Sequence, residues 1–196
     1  MTSSATASIR RLEPAEAALY AGFRLAALAR APAAFSSDPA EERSKPLAFA
    51  AARIRDAARP DDFVLGAFAG GELVGTAGFV RGARAKERHK GSVFGMAVAP
   101  PAAGAGVGGA LMDRLIAEAR QVPGLLQLAL TVSAGNAAAE ALYRRRGFTV
   151  FGREPRALVV DGAAVTKLHM VLMLDAFAGP GPADAGAAPP PARDGS

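Results

Sequence analysis

Four glycines within six residues, Gly104-Ala105-Gly106-Val107-Gly108-Gly109, separate a strand-like run closed by Pro100-Pro101 from a helical run that begins at about Val107. Strand, glycine-rich turn and helix in that order make a phosphate-holding unit. Successive backbone N–H groups converge, the helix N-terminus adds partial positive charge, and the missing side chains let a ligand approach. Glycine serves plain tight turns as well, so the turn alone names no ligand. A P-loop needs Lys-Ser/Thr after its last glycine, and Ala110-Leu111 stands here instead. The dinucleotide fingerprint G-x-G-x-x-G is matched literally by Gly104, Gly106 and Gly109, but it also needs an acidic residue about 20 positions on. Residues 119–139 hold no Asp or Glu, and the turn follows three antiparallel-looking strands rather than opening a βαβ unit. The dinucleotide reading is demoted without being dismissed.

Hydrophobic period and turn residues predict the elements around the turn. Residues 9–12 read as a short strand. Pro14 suits a first helical turn, and 15–30 then carries Leu19, Phe23 and Leu28 at helical spacing. A second helix is predicted over 47–58, before Pro60. Strands over 63–69 and 72–80 are joined by Gly70-Gly71, a good hairpin turn. Another strand covers 92–99. The helix after the glycine turn, about 107–120, has Val107, Leu111 and Leu115 on one stripe. The nearly continuous apolar run 125–132 reads as a buried strand, and 136–146 as a helix stopped by Gly147. Strands over 148–152 and 167–174, with Asp161-Gly162 as a turn, complete an α/β fold on a mixed sheet. Residues 9–175 form the expected domain, between a flexible N-terminus (1–8) and a disordered Gly/Pro/Ala-rich tail (176–196).

Composition narrows the function classes. The chain has 196 residues, the size of one ordinary domain, and is 51% hydrophobic. Its formal charge of +5 is carried mainly by arginine and suits an anionic ligand without requiring one. No cysteine is present, which removes disulfides, thiolate metal sites and a cysteine acyl-enzyme. No metal-ligand cluster or Gly-x-Ser-x-Gly motif is found, so no metal is expected. Neither an apolar leader nor a run of about 18 apolar residues occurs, so the expectation is a cytoplasmic protein with no membrane partner. Basic residues at 81–90 and 144–146 lack interleaved aromatics or a binding motif, and no nucleic acid is expected.

Two linked blocks carry a resemblance. Val98-Ala99-Pro100, the glycine turn and Leu111-Met112 resemble the acetyl-CoA signature of the GNAT superfamily of N-acetyltransferases. Asn136, Ala139, Leu142-Tyr143 and Gly147-Phe148 are similar to its N-x-x-A-x-x-L-Y-x-x-x-G-F helix, with one strand between the blocks. The resemblance spans about residues 9–174 and is strongest over 91–151. It implies a mostly antiparallel central sheet flanked by helices, with a splayed parallel strand pair holding the cofactor. It also implies direct transfer from acetyl-CoA, as cosubstrate, to a primary amine of a small molecule or protein, without a covalent acyl-enzyme. A homodimer is plausible by the same analogy.

The resemblance assigns residues as well. Met96, Ala97 and Val98 offer backbone groups to the pantetheine arm and the thioester carbonyl. Residues 103–109 (Ala103, Gly104, Ala105, Gly106, Val107, Gly108, Gly109) hold the pyrophosphate. Asn136 and Ala139 touch the cofactor, and Asn136 is also a helix cap. Tyr143 stands at the position of the acid that protonates the departing thiolate. Ala103 departs from the pattern, because the superfamily's loop usually begins with Arg or Gln. A hydrogen bond to a charged group contributes about 1.5–3 kcal/mol, so weaker binding follows unless Arg144, Arg145 or Arg146 substitutes. The general base stays open: strand 92–99 has no carboxylate or His, leaving His89 before it and Glu41 and Glu42 near the N-terminal helices as substrate-side candidates. His169 reads as a structural histidine. The competing functional reading is a GNAT-like module that binds acyl-CoA with little or no turnover.

Overall fold

Alternation along strand β2 (Phe63–Ala69) explains the layering. Phe63, Leu65 and Ala67 point to one face of the sheet and Val64 to the other, and each face is covered by helices. The computed structural model describes residues 7–55 and 58–174. The remaining strands are β1 (Ser8–Arg11), β3 (Glu72–Arg81), β4 (Lys90–Val98), β5 (Gln127–Ser133), β6 (Thr149–Val160) and β7 (Ala163–Met173). They form one seven-stranded sheet in the order β1-β2-β3-β4-β5-β7-β6, antiparallel everywhere except between β4 and β5. Helices α1 (Ala17–Arg30) and α3 (Leu47–Ile54) bury Tyr20 and Ile54 with Val64 on one face. On the other, helix α4 (Val107–Ala119) buries Leu111, Met112 and Leu115 with Phe63 and Leu65. No helix among the described residues is long and apolar enough to cross a membrane.

The expected element order holds apart from one added helix and shifted element ends. A six-residue helix, α2 (Pro39–Ser44), precedes α3, started by Asp38, whose carboxylate accepts from the Ala40 and Glu41 N–H groups. Helix α3 stops at Ile54 rather than at 58. Strand β6 continues to Val160, well past the expected end at 152, and β7 begins at Ala163 rather than at 167. Pro155 and its charged neighbours read locally as a loop. The sheet absorbs them because β6 is an edge strand, with a register shift between Glu154 and Leu158 and Arg156 at φ 54°. Strand β1 already includes Ser8, while the expected tail 176–196 and residues 1–6 lie outside the described residues.

One irregularity positions the site. Strands β4 and β5 pair only through Lys90↔Gln127, Gly91↔Leu128 and Ser92↔Ala129. Beyond Ser92 they part. On the other side of β4, Phe94 stands opposite Gly78 and Ala97 opposite Thr76, so two β4 residues face the single Ala77. This is a β-bulge, which bends its strand and strengthens the local twist. Gly95 sits in it at φ 60°, a conformation that glycine adopts without the penalty of a Cβ, and its carbonyl accepts from Thr76 Oγ1 at 2.9 Å.

Candidate active site

Because β4 leaves β5 after Ser92, its backbone from Val93 to Val98 has no ladder partner on that side. The gap is a cleft of about 570 Å³. Met96, Ala97 and Val98 form one wall and Leu130 to Ser133 of β5 the other. Helix α5 (Ala137–Arg144) reaches in with Ala139, Leu142 and Tyr143, and Gly108 stands at the start of α4. Unpaired N–H and C=O groups along such a wall bind an extended polar chain much as another strand would.

At the α4 end of the cleft lies the glycine turn. Gly106 is the N-cap of α4 in the left-handed region at φ 79°, and Gly104 has the same φ. A Cβ at either position would meet nothing within 4 Å, so glycine serves the conformation there and the space over the turn is open. The first helical bond is Ala110 N–H to Gly106 carbonyl, which leaves Val107, Gly108 and Gly109 N–H without intrahelical acceptors. Ala103 is exposed and brings no polar side chain. Arg146 lies across this first turn instead. Its Nη2 is 2.5 Å from where a Gly109 Cβ would sit, and Asp113 pairs with its Nε at 2.8 Å and its Nη2 at 3.0 Å. Arg144 and Arg145 are exposed, and Arg144 is 4.0 Å from Glu140.

Tyr143 is only 7% exposed and packs edge-on against Phe148, with ring centroids 6.0 Å apart. Burial pushes its phenol up to about 12, because the ionised form loses hydration without gaining a cation. Its hydroxyl makes no hydrogen bond to another described residue, although the side chain lines the cleft. Asn136 caps α5 by accepting from Ala139 N–H at 3.2 Å and lines the same cleft.

The candidate bases lie elsewhere. His89 immediately precedes β4, at the end where the two strands are still paired, and its carbonyl accepts from Leu126 and Gln127 N–H. Met96 lies seven positions further along the strand, up to roughly 23 Å away. Glu41 is exposed on α2. Glu42 is engaged: Arg24 Nε donates to it at 2.6 Å and Lys45 Nζ at 3.0 Å. Burial alone would raise the Glu42 carboxyl, but these two cations outweigh it and hold the group below its ordinary range. His169 pairs with Glu154 at 2.8 Å on the edge of the sheet.

The cleft contains three cationic side chains that sequence reasoning missed, namely Arg24, Arg53 and Lys167, and no described Asp or Glu lines it. Arg24 turns from α1 towards the Gly95 bulge, and Arg53 lies over the Phe94 and Phe49 rings at 5.4 and 5.1 Å. Lys167 had one local signal, a lysine within a mostly apolar strand.

The family model for the acetyltransferase (GNAT) family matches residues 24–148. Among solved structures, a GNAT-family acetyltransferase from Streptococcus pneumoniae is 25% identical with a TM-score of 0.76, over 85% of this chain and 98% of that one. YncA, a candidate acetyltransferase from Salmonella typhimurium solved with its cofactor acetyl-CoA, is 28% identical with a TM-score of 0.71, over 89% and 97%. A ribosomal-protein-alanine N-acetyltransferase from Brucella melitensis is 26% identical with a TM-score of 0.69, over 85% and 99%. No curated protein sequence matches the chain.

Proposed function

The chain belongs to the GNAT family of acetyltransferases, and on that premise we propose that it moves the acetyl group of acetyl-CoA directly to a primary amine. The observation that carries this reading is the continuity of the β4–β5 cleft with the glycine turn. Unpaired strand backbone, free helix N-terminal N–H groups and a buried phenol line one path. An acyl-CoA has the matching parts: an amide-bearing arm, a diphosphate and an acyl thioester.

Acetyl-CoA supplies an electrophilic carbonyl and a thiolate leaving group. The backbone of Met96, Ala97 and Val98 orients the arm and stabilises negative charge on the carbonyl oxygen. The turn N–H groups and Arg146 hold the diphosphate, with Arg146 serving where Ala103 brings nothing. The amine nitrogen attacks the carbonyl carbon, the C–S bond breaks, and Tyr143 donates its proton to the departing sulfur. The proton lost from the amine nitrogen passes to solvent, because the described cleft wall carries no carboxylate or imidazole, and solvent returns a proton to the Tyr143 phenolate. The chain has no cysteine to form an acyl-enzyme.

The test is an amine panel assayed for CoA release and acetylated product, with thermal stabilisation by acetyl-CoA measured alongside. Product formation together with stabilisation is expected. Ala103 and the wall without a carboxylate favour one rival, an acyl-CoA-binding module without turnover. Stabilisation with no product from any amine would select the rival.

A further inference from the structure

The charges lining the cleft are one-sided. Arg24, Arg53 and Lys167 line it, and no described carboxylate is part of the lining. Arg24 is already neutralised by Glu42, and both side chains are under 10% exposed. Lys167 is not neutralised. It is 6% exposed, and its Nζ donates to a single described partner, Ser36 Oγ, at 2.5 Å. An ammonium has three donors, so two remain unused. Glu154 is its cross-strand neighbour on β6, but that carboxylate is bonded to His169 and forms no ion pair with Lys167. Burial lowers the Lys167 pKa and outweighs the opposing pull of Glu154. A cation kept at such a position without a counter-ion is unfavourable in the free protein. An anion delivered with a ligand would relieve that cost and use the idle donors.

The location indicates which ligand. Lys167 pairs in register with Ser133 of β5 and bonds the segment joining α1 to α2, so its neighbours are not those of the glycine turn. The anion it faces is therefore not the diphosphate of the cosubstrate. Ser36, Ser37 and Thr131 line the same cleft and add hydroxyl groups. Arg53, with its guanidinium stacked over Phe94, extends the positive potential along the wall and favours entry of an anionic molecule.

We propose that the acceptor is a small amine that also carries a carboxylate, as a free amino acid does, and that Lys167 with Ser36 binds that carboxylate. This rests on the acetyltransferase reading above. A protein's terminal amine has its neighbouring carboxyl tied up in a peptide bond and would leave Lys167 without its counter-ion.

Matched acceptors test it. The full-length protein, saturated with acetyl-CoA, is assayed with free amino acids and their methyl esters over a range of side chains. Rates are expressed per free amine, and products are identified by mass. The best acid should exceed its ester in kcat/KM by at least tenfold, which corresponds to about 1.4 kcal/mol. Lys167→Met should bring that ratio close to one, and Lys167→Arg should retain a preference for the acid. Esters or plain alkylamines acetylated as well as acids would overturn the carboxylate seat while leaving acetyl transfer intact. Acetyl-CoA binding with no product from either series or from the wider amine panel would overturn both. A second readout needs no turnover: titration of an N-acetylated amino acid into the CoA-saturated protein. Its Kd should weaken tenfold or more in Lys167→Met and also in Ser36→Ala, and unchanged affinity in both variants would sink the proposal.

Discussion

Tyr143 and Arg146 are the residues whose surroundings make the sharpest claims. Burial raises the Tyr143 phenol to about 12, so it remains a proton donor across the working range of pH. Tyr143→Phe should lower kcat about 100-fold while leaving the acetyl-CoA Kd unchanged, as measured by steady-state kinetics and titration calorimetry. Unaltered kcat would remove Tyr143 from the acid role. In the wild type, kcat/KM should rise with pH along the acceptor amine's own titration. No falling limb from Tyr143 should appear until well above pH 10, and two amines of different basicity should shift the rise accordingly. Arg146→Ala should weaken acetyl-CoA binding by about 1.5–3 kcal/mol, the scale of a hydrogen bond to a charged group. Asp113→Asn, which loosens the anchor but keeps the cation, should have the smaller effect on the same Kd.

Elements meet at two points that single substitutions can probe. The turn into α4 depends on Gly106 at φ 79°, where an L-residue is strained by about 1–2 kcal/mol. Gly106→Val should therefore lower both Tm and acetyl-CoA affinity, and a normal Kd would separate the cradle from the turn's conformation. The other point is the Arg24–Glu42 pair, which ties α1 to α2 beside the cleft. Glu42→Gln should destabilise the fold by about 1.5–3 kcal/mol in denaturant titrations. Because the folded-state carboxyl is held below its ordinary range, this contribution is full above that range and is lost as pH falls through the lowered value. The difference between wild type and variant should therefore shrink on acidification. A constant difference would assign the loss to packing.

For the whole molecule, ligand linkage is the direct check. Acetyl-CoA at 100 times its Kd adds about 2.7 kcal/mol to stability. For a chain of this length each kcal/mol raises Tm by roughly 2–4 °C, so a rise of about 5–11 °C is expected in a thermal melt. A matched melt with NAD bears on the literal dinucleotide match in the turn. No shift is expected, because no acid stands at the required distance and the turn feeds a splayed strand pair rather than a βαβ crossover.

Local patterns determined much of this protein. The hairpin at Gly70-Gly71, the glycine turn into α4 and the helix from Asn136 towards Phe148 were legible because period, caps and glycines act within a few residues. The cleft was not legible in that way. Its walls part because β4 bulges at Gly95 against β3 while pairing with β5 over three residues, a balance of contacts from three separate parts of the chain. Strand β6 runs past Pro155 because, among the described residues, no strand lies outside it to miss a hydrogen bond. The cations were hidden for the same reason. Arg24 meets Glu42 through helix packing, and Lys167 meets Ser36 across 131 positions of sequence, so neither partner announces the other locally. Short-range stereochemistry thus wrote the elements and the glycine turn into the sequence. Burial and charge pairing, which exist only once distant segments pack, decided which cations face the cleft.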